Sequence, residues 1–272
     1  MKFFKMNGAG NTFVIFDARR EKLSLTPERI REIADPATGA GADQIIAMEP
    51  SIRGDVFMRI WNKDGGEVAA CGNATRCVAS LVMEEQGQDT LTVETAAGKL
   101  AATRNREGRV SVDMGSPLLK WEEIPLSERM DTRGIDLKVG PIDAPYLQLP
   151  GAVNMGNPHC VFFVPDVSKV DVAGIGSMIE HHPLFPQATN VEFVQVNSAR
   201  HMRVRVWERG VGITQACGTG ACAAVVAAHR RGVVERQCVV QMDGGDLHVH
   251  WREDHDRVIL TGPVELEFEG TM

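Results

Sequence analysis

The chain repeats itself. Ala70-Cys71-Gly72 returns as Ala216-Cys217-Gly218, so the two cysteines lie 146 positions apart. Without a gap, the same offset pairs further residues along the chain: Arg59-Ile60-Trp61 with Arg205-Val206-Trp207, Gly10 with Gly156, and Pro117 with Pro263. Unrelated segments would not keep a constant offset, because loops tolerate insertions. The constant register predicts two copies of one fold unit, with the functional site between them and one thiol from each.

Length and composition limit the class of protein. A chain of 272 residues is long enough for two ordinary domains. The content of 43% hydrophobic and 24% charged residues is typical of a soluble globular protein, and no apolar run is long enough to span a bilayer. The start, Met1 to Gly8, turns polar too early for a signal peptide, so we expect a cytoplasmic location. A net charge of −7 and the lack of a basic face exclude nucleic acid as an expected partner.

The cysteine spacing argues against a metal centre. The chain has six cysteines, which we expect to be reduced because it is neither short nor marked for export. Five residues separate Cys71 from Cys77 and four separate Cys217 from Cys222, and no Cys-x-x-Cys or His-x-x-x-His accompanies them. We therefore expect no metal.

Hydrophobic patterning predicts an α+β fold in both halves. The expected strands are Phe13 to Phe16, Asp55 to Trp61, Thr90 to Glu94, Arg109 to Met114, Cys160 to Val164, Val191 to Val196, Met202 to Trp207 and Val239 to Gln241. The expected helices are Thr26 to Ala34, Ala74 to Glu85, Val170 to His181 and Ala221 to Arg231. The helix after each repeated cysteine is apolar nearly all round, so each half should be a curved, mainly antiparallel sheet wrapped around a central helix.

The segment around Pro125 to Pro145 has no counterpart in the repeat and is interpreted as the connection. We expect a first lobe over residues 1–117 and a second over 118–262. The site is expected in the cleft between them.

Each repeated cysteine falls where a strand leads into a helix. Gly72 and Gly218 allow the turn, and Asn73 and Thr219 are expected to cap the helices. Unpaired helix-start amides favour negative charge, so they should lower a thiol pKa from about 8.5, and they can also hold a substrate carboxylate. The alternative role, a small buried hydrophobe, fits the remaining cysteines better: Cys77, Cys160, Cys222 and Cys238.

Polar character is retained at matched positions. The pairs are Asn11 with Asn157, Gln44 with Asn190, Asn62 with Glu208, and Asn73 with Thr219. The second copy is more ionisable, since His159 stands opposite Phe13 and Arg209 opposite Lys63. His159 is either structural or a group that perturbs a thiol. Arg209 either pairs with its neighbour Glu208 or binds a substrate carboxylate.

Five motifs together resemble those of the diaminopimelate epimerase family. They are Asn7-Gly8-Ala9-Gly10-Asn11, Asn62-Lys63-Asp64-Gly65-Gly66, Cys71-Gly72-Asn73-Ala74-Thr75-Arg76, Gly156-Asn157-Pro158-His159, and Trp207-Glu208-Arg209-Gly210 leading to Ala216-Cys217-Gly218-Thr219-Gly220. The similarity covers nearly the whole chain. Three residues depart from the family pattern: Gly66 replaces the usual Ser, Ile213 a common acidic residue, and Phe268 a Tyr.

The resemblance implies two α/β halves, a homodimer, and a last strand over 263–272 that crosses into the first lobe. It implies epimerisation of LL-diaminopimelate to the meso form for lysine and peptidoglycan precursors, with Cys71 as base on the LL substrate and Cys217 as acid. His159 and Glu208 would tune the thiols. The residues implied to bind substrate are Asn11, Gln44, Asn62, Asn157, Asn190, Glu208 and Arg209.

Inverting a carbon that bears one hydrogen needs a base on one face and an acid on the other, which two cysteines can supply. No pyridoxal lysine motif or other electron sink is recognisable, so we expect no cofactor. The amides of Gly72, Asn73, Gly218 and Thr219 are then expected to hold the α-carboxylate. The rival hypotheses are proline racemase or hydroxyproline epimerase, a redox or metal-binding protein, and a catalytically silent ligand-binding protein.

Overall fold

The computed structural model describes residues 1–272, which form two compact units. Unit 1 comprises Met1–Asp113 and Thr261–Met272, and unit 2 comprises Met114–Leu260. Unit 2 is continuous in sequence, whereas unit 1 is assembled from both ends of the chain.

Unit 1 is a sheet with two helices. Its strands are β1 Lys2–Gly8, β2 Asn11–Asp17, β3 Gln44–Glu49, β4 Val56–Asn62, β5 Glu67–Val68, β6 Thr90–Thr95, β7 Gly98–Arg104 and β8 Val110–Asp113. Its helices are α1 Pro27–Ala34, which Thr26 caps, and α2 Gly72–Gln86.

Unit 2 repeats that order after a short extra pair of strands. Its strands are β9 Lys138–Val139, β10 Leu147–Gln148, β11 Gly151–Asn154, β12 Pro158–Phe163, β13 Asn190–Ser198, β14 His201–Glu208, β15 Gly212–Thr214, β16 Gln237–Met242, β17 Gly245–Trp251 and β18 Val258–Gly262, of which the last two residues belong to unit 1. Its helices are α3 Val172–Glu180 and α4 Gly218–Arg230, and a 3₁₀ turn covers Val167–Lys169. The last strand of the chain, β19 Glu265–Thr271, belongs to unit 1 and pairs antiparallel with β1.

The two units share one pairing pattern. In unit 1, β2 runs parallel to β3, β3 antiparallel to β4, and β4 parallel to β6; in unit 2, β12, β13, β14 and β16 pair in the same way. The register is also shared, because Phe13 pairs with Gln44 and His159 pairs with Asn190. The ladders of β1 with β2, β4 with β5 and β6 with β7 in unit 1, and of β11 with β12, β14 with β15 and β16 with β17 in unit 2, are antiparallel. The duplicated α+β fold predicted from the sequence repeat is confirmed.

The helix that follows each repeated cysteine lies in the core of its unit. Every residue of α4 from Gly220 to Ala228 is buried, as are Val78, Val82 and Met83 of α2. Small side chains all round α4 let the strands approach it closely. Both helices begin earlier than the sequence pattern indicated, because Gly218-Thr219-Gly220 and Gly72-Asn73 already have helical backbone.

The segment from Pro125 to Pro145 is more than the connection that was expected. Ile135, Leu137 and Val139 are buried in the main apolar cluster of unit 2, against Phe162 and Phe193, whose rings stack 5.9 Å apart. The two-stranded ladder of β9 with β10 holds this segment in place. Burial of its apolar side chains draws this segment into the core. The sequence repeat did not predict this, because the segment has no counterpart in the other copy.

No helix in the structure has both the length and the apolar character needed to cross a bilayer.

Replacing Ala224 by Leu tests the close packing of α4. Ala224 is completely buried, so extra carbon atoms have no space, and the free energy of unfolding should fall by about 1–3 kcal/mol, measured by urea denaturation with circular dichroism. Ala173→Leu, at an exposed position of α3, is the control and should change it by less than about 0.5 kcal/mol. Equal effects of the two substitutions would contradict this packing.

Candidate active site

Cys217 is itself the N-cap of α4. Its backbone is extended (φ −125°, ψ 115°), and its sulfur accepts a hydrogen bond from the Gly220 N–H at 3.4 Å. The Thr219 hydroxyl lies 3.5 Å from the same sulfur. The expectation that Thr219 would cap this helix is wrong, because Thr219 lies within the first helical turn.

Cys71 occupies the same place at the start of α2, with φ −150° and ψ 115°, but its side chain makes no capping bond. Asn73 was expected to cap this helix and instead lies inside it, with its side chain 1% exposed and Oδ1 without a hydrogen-bond partner. Both helices thus begin at a cysteine. Their first amides, at Gly72, Asn73, Gly218 and Thr219, have no intrahelical acceptors and form a favourable environment for an anion.

The pKa of Cys217 is raised, whereas the sequence predicted that the helix start would lower it. Burial raises it well above the usual value, and the nearby carboxylates of Glu208 and Glu192 raise it further. The Thr219 hydroxyl and the Gly220 amide lower it, but by less. Loss of water around the sulfur therefore outweighs the helix start, and Cys217 is a protonated thiol at neutral pH.

Glu208 lies beside this thiol. Its carboxylate hydrogen-bonds the Thr214 hydroxyl and the Cys217 thiol, and burial raises its pKa. Its counterpart in unit 1 is Asn62, which accepts a hydrogen bond from Gln44 Nε2 at 2.9 Å. The same strand position thus carries an ionisable group in unit 2 and a neutral amide in unit 1.

His159 lies in the interior of unit 2, with none of its surface exposed. Its Nδ1 is 2.7 Å from Glu192 Oε1, and its Nε2 is 2.9 Å from Asn157 Oδ1. Glu192 is also fully buried, and desolvation raises its pKa despite the neighbouring imidazole. Sequence reasoning missed Glu192, although one signal was available: a carboxylate inside an apolar strand, at the position where the first copy has Ile46.

Asn190 and Arg209 are joined to each other. The Asn190 side chain donates to the Pro158 carbonyl at 2.8 Å and accepts the Arg209 main-chain N–H at 3.0 Å. The Arg209 guanidinium donates to the Gln187 carbonyl at 2.9 Å rather than to Glu208. The ion-pair interpretation of Arg209 is therefore wrong.

The remaining candidates lie in unit 1. Gln44 and Asn62 are adjacent partners of β3 and β4, and Gln44 Oε1 is buried without a hydrogen-bond partner. Asn11 follows a tight hairpin in which Ala9 and Gly10 both have positive φ (60° and 80°), and it pairs with Gly8 across β1 and β2. No group of three or more His, Cys, Asp or Glu side chains is arranged to hold a metal ion.

Comparison with known proteins identifies the family. The family model described as diaminopimelate epimerase matches residues 3–120 and 151–267, and the two matched segments follow the duplication. This chain belongs to the diaminopimelate epimerase family. The resemblance inferred from the sequence motifs is confirmed.

Similar proteins of this family match almost end to end. The diaminopimelate epimerase of Phenylobacterium zucineum is 52% identical over 270 residues, covering 99% of this chain and 97% of the relative. That of Rhodospirillum centenum is 50% identical over 273 residues, covering 100% and 92%. Among solved structures, a hydroxyproline epimerase from Agrobacterium vitis, with bound trans-4-hydroxy-L-proline, superimposes with a TM-score of 0.68 at 14% identity, covering 99% and 91%. That likeness shows the shared fold.

Glu208→Gln tests the electrostatic environment of Cys217. Because the Glu208 charge helps to raise the Cys217 pKa, a neutral amide at this position should lower that pKa. The thiolate would then form at lower pH, which NMR of ¹³Cβ-labelled cysteine detects. Glu180→Gln, which removes a buried carboxylate bonded to Trp207 and Gly210, is the control. An unchanged Cys217 titration in Glu208→Gln would contradict the assignment.

Proposed function

We propose that this chain is an enzyme that epimerises LL-diaminopimelate to meso-diaminopimelate without a cofactor, an isomerase of lysine and peptidoglycan precursor biosynthesis. The observation that carries the proposal is near-full-length family membership at about half identity, together with a cysteine at the start of the core helix in both copies.

The reaction uses one thiol on each face of the α-carbon. On the LL substrate, Cys71 acts as the thiolate base: its sulfur takes the α-proton, the Cα–H bond breaks and its electron pair stays on carbon. Cys217 is the acid: its S–H bond breaks and a new C–H bond forms on the opposite face. The product leaves Cys71 as thiol and Cys217 as thiolate, the state that acts on the meso isomer in reverse. The raised pKa of Cys217 supports the acid role, because a buried thiol beside two carboxylates retains its proton.

The carbanion needs stabilisation at the adjacent carboxylate, where negative charge develops. We assign this to the helix-start amides of Gly72, Asn73, Gly218 and Thr219, because preorganised N–H donors are most effective where water is excluded. The uncapped start of α2 supports this assignment, since the Cys71 side chain does not occupy those amides.

The polar residues at matched positions are proposed to hold the rest of the zwitterion: Asn11, Gln44, Asn62, Asn157, Asn190, Glu208 and Arg209. Asn190 acts mainly on the loop before Arg209, because both ends of its amide are already bonded within the protein. His159 and Glu208 tune the thiols. The lobes are proposed to comprise residues 1–117 with 263–272, and 118–262.

Cys71→Ser and Cys217→Ser test the two-thiol reaction. A hydroxyl ionises far less readily than a thiol, so each variant should lose about 10²–10⁴-fold in turnover, measured by NMR of LL-diaminopimelate in heavy water. Cys238→Ser, which alters a buried cysteine of β16, is the matched control and should keep wild-type turnover. Full activity of either site variant would exclude the mechanism.

The same assay separates the rival substrates. Deuterium should enter the α-carbon of the diaminopimelate isomers and not of proline or hydroxyproline. Exchange confined to the cyclic amino acids would instead favour the hydroxyproline epimerase alternative.

We also propose that the enzyme is a cytoplasmic homodimer. In support, Leu266 and Phe268 on β19 are each 46% exposed, and the Phe268 ring packs edge-on against Phe3. Exposed apolar side chains on one strand are typical of an association surface. Leu266→Lys with Phe268→Lys should convert a dimer to a monomer in analytical ultracentrifugation; a wild-type monomer would contradict the proposal.

A further inference from the structure

We propose that Glu192 is a positioning residue of this site: through Nδ1 of His159 it keeps a hydrogen on Nε2, and that hydrogen fixes which end of the Asn157 amide is presented to the substrate. The inference rests on the proposed function, in which Asn157 binds diaminopimelate.

Three side chains form a continuous chain in unit 2. Glu192 Oε1 lies 2.7 Å from His159 Nδ1, and His159 Nε2 lies 2.9 Å from Asn157 Oδ1. His159 pairs with Asn190 on the parallel strand, and Glu192 lies two residues further along, on the same face of the sheet. Helix α4 confines the carboxylate from the other side, because a Cβ on Gly220 would lie 2.7 Å from Glu192 Oε1.

Counting hydrogens assigns the tautomer. An amide oxygen accepts only, so the contact with Asn157 requires a hydrogen on Nε2 of His159. The contact between Glu192 and Nδ1 holds one further hydrogen, on the carboxyl group or on the ring. Both arrangements leave the pair neutral overall, and Nε2 keeps its hydrogen in both.

The state without the shared hydrogen is disfavoured by burial. It would place a net negative charge on side chains with no exposed surface, and Glu192 Oε2 has no hydrogen-bond partner. The groups that interact electrostatically with Glu192 include His159, Glu208, Cys160 and Cys217. Three of these add negative charge when ionised, which disfavours a bare carboxylate further.

The consequence is found at Asn157, which is half-buried. With Oδ1 bonded to His159, its Nδ2 hydrogens point away from the ring and are available to an oxygen acceptor such as a carboxylate. Unit 1 lacks this arrangement, because its matched residues are Phe13 and Ile46. Asn11, the matched amide, therefore has no equivalent of His159 to orient it.

Histidine NMR tests the tautomer directly. The protein has eight histidines, and His159→Phe, which introduces the residue of the first copy, assigns the His159 signal by its loss. In ¹⁵N-histidine-labelled wild type we expect Nε2 to carry a hydrogen. A wild-type His159 with hydrogen on Nδ1 alone would overturn the proposal, whatever the behaviour of any variant.

Kinetics of Glu192→Gln and Glu192→Leu test the positioning. The Gln amide donates to Nδ1 and should keep the Nε2 hydrogen, with KM for LL-diaminopimelate within about twofold of wild type. Leu removes that partner, so the Nε2 hydrogen should be partly lost and KM should rise about tenfold, while kcat changes less. Equal KM values for the two variants would overturn the proposal. Glu180→Gln controls for loss of a buried carboxylate and should leave the His159 spectrum unchanged.

Failure of the proposed function gives a different result. If the wild-type enzyme does not turn over diaminopimelate, the kinetic comparison is lost and the proposed function fails. The histidine spectra still test the link from Glu192 to His159.

Discussion

The rest of this structure depends on two helix starts, each occupied by a cysteine. A helix that a curved sheet surrounds begins close to the protein interior. Its first N–H groups have no intrahelical acceptor, and few buried side chains can supply one. At α4 the sulfur of Cys217 is that partner for Gly220, whereas at α2 the Cys71 side chain leaves the amides without a side-chain cap. The duplication thus yields two thiols with the same backbone setting and different surroundings.

The difference between the surroundings comes from three strand positions. In unit 1 they carry Phe13, Ile46 and Asn62, and in unit 2 His159, Glu192 and Glu208. The first set is uncharged, whereas the second brings two carboxylates close to Cys217, one of which is bonded to the His159 imidazole. Burial makes each ionised group there costly without a partner, so the residues of unit 2 stabilise one another in protonated or shared forms. A duplicated backbone thereby places its two thiols in different electrostatic environments.

Much of this could be predicted from the sequence, because the 146-residue register fixes equivalent strands and helices together. The duplicated fold followed from that register, the core helices followed from the apolar pattern after each repeated cysteine, and the family followed from the five motifs. The direction of the Cys217 pKa did not, since it depends on how deeply a sulfur is buried and on carboxylates from other strands. Glu192 was missed because its partner His159 is 33 residues away and no periodicity links them. The capping roles of Asn73 and Thr219 were wrong by two positions, a shift that spacing alone does not resolve.

The pairing of β19 with β1 determines the order in which the halves can be completed during synthesis. Unit 2 is one uninterrupted stretch, so all its strands are translated before the C-terminal strand. Unit 1 must keep the outer edge of β1 open until Glu265–Thr271 is translated, since Lys2 pairs with Thr271. Pairing β1 with β19 joins segments from the two ends of the chain, and such long-range pairing is slow. Until it occurs, the unpaired edge of β1 can promote aggregation. Unit 1, which is translated first, is therefore completed last.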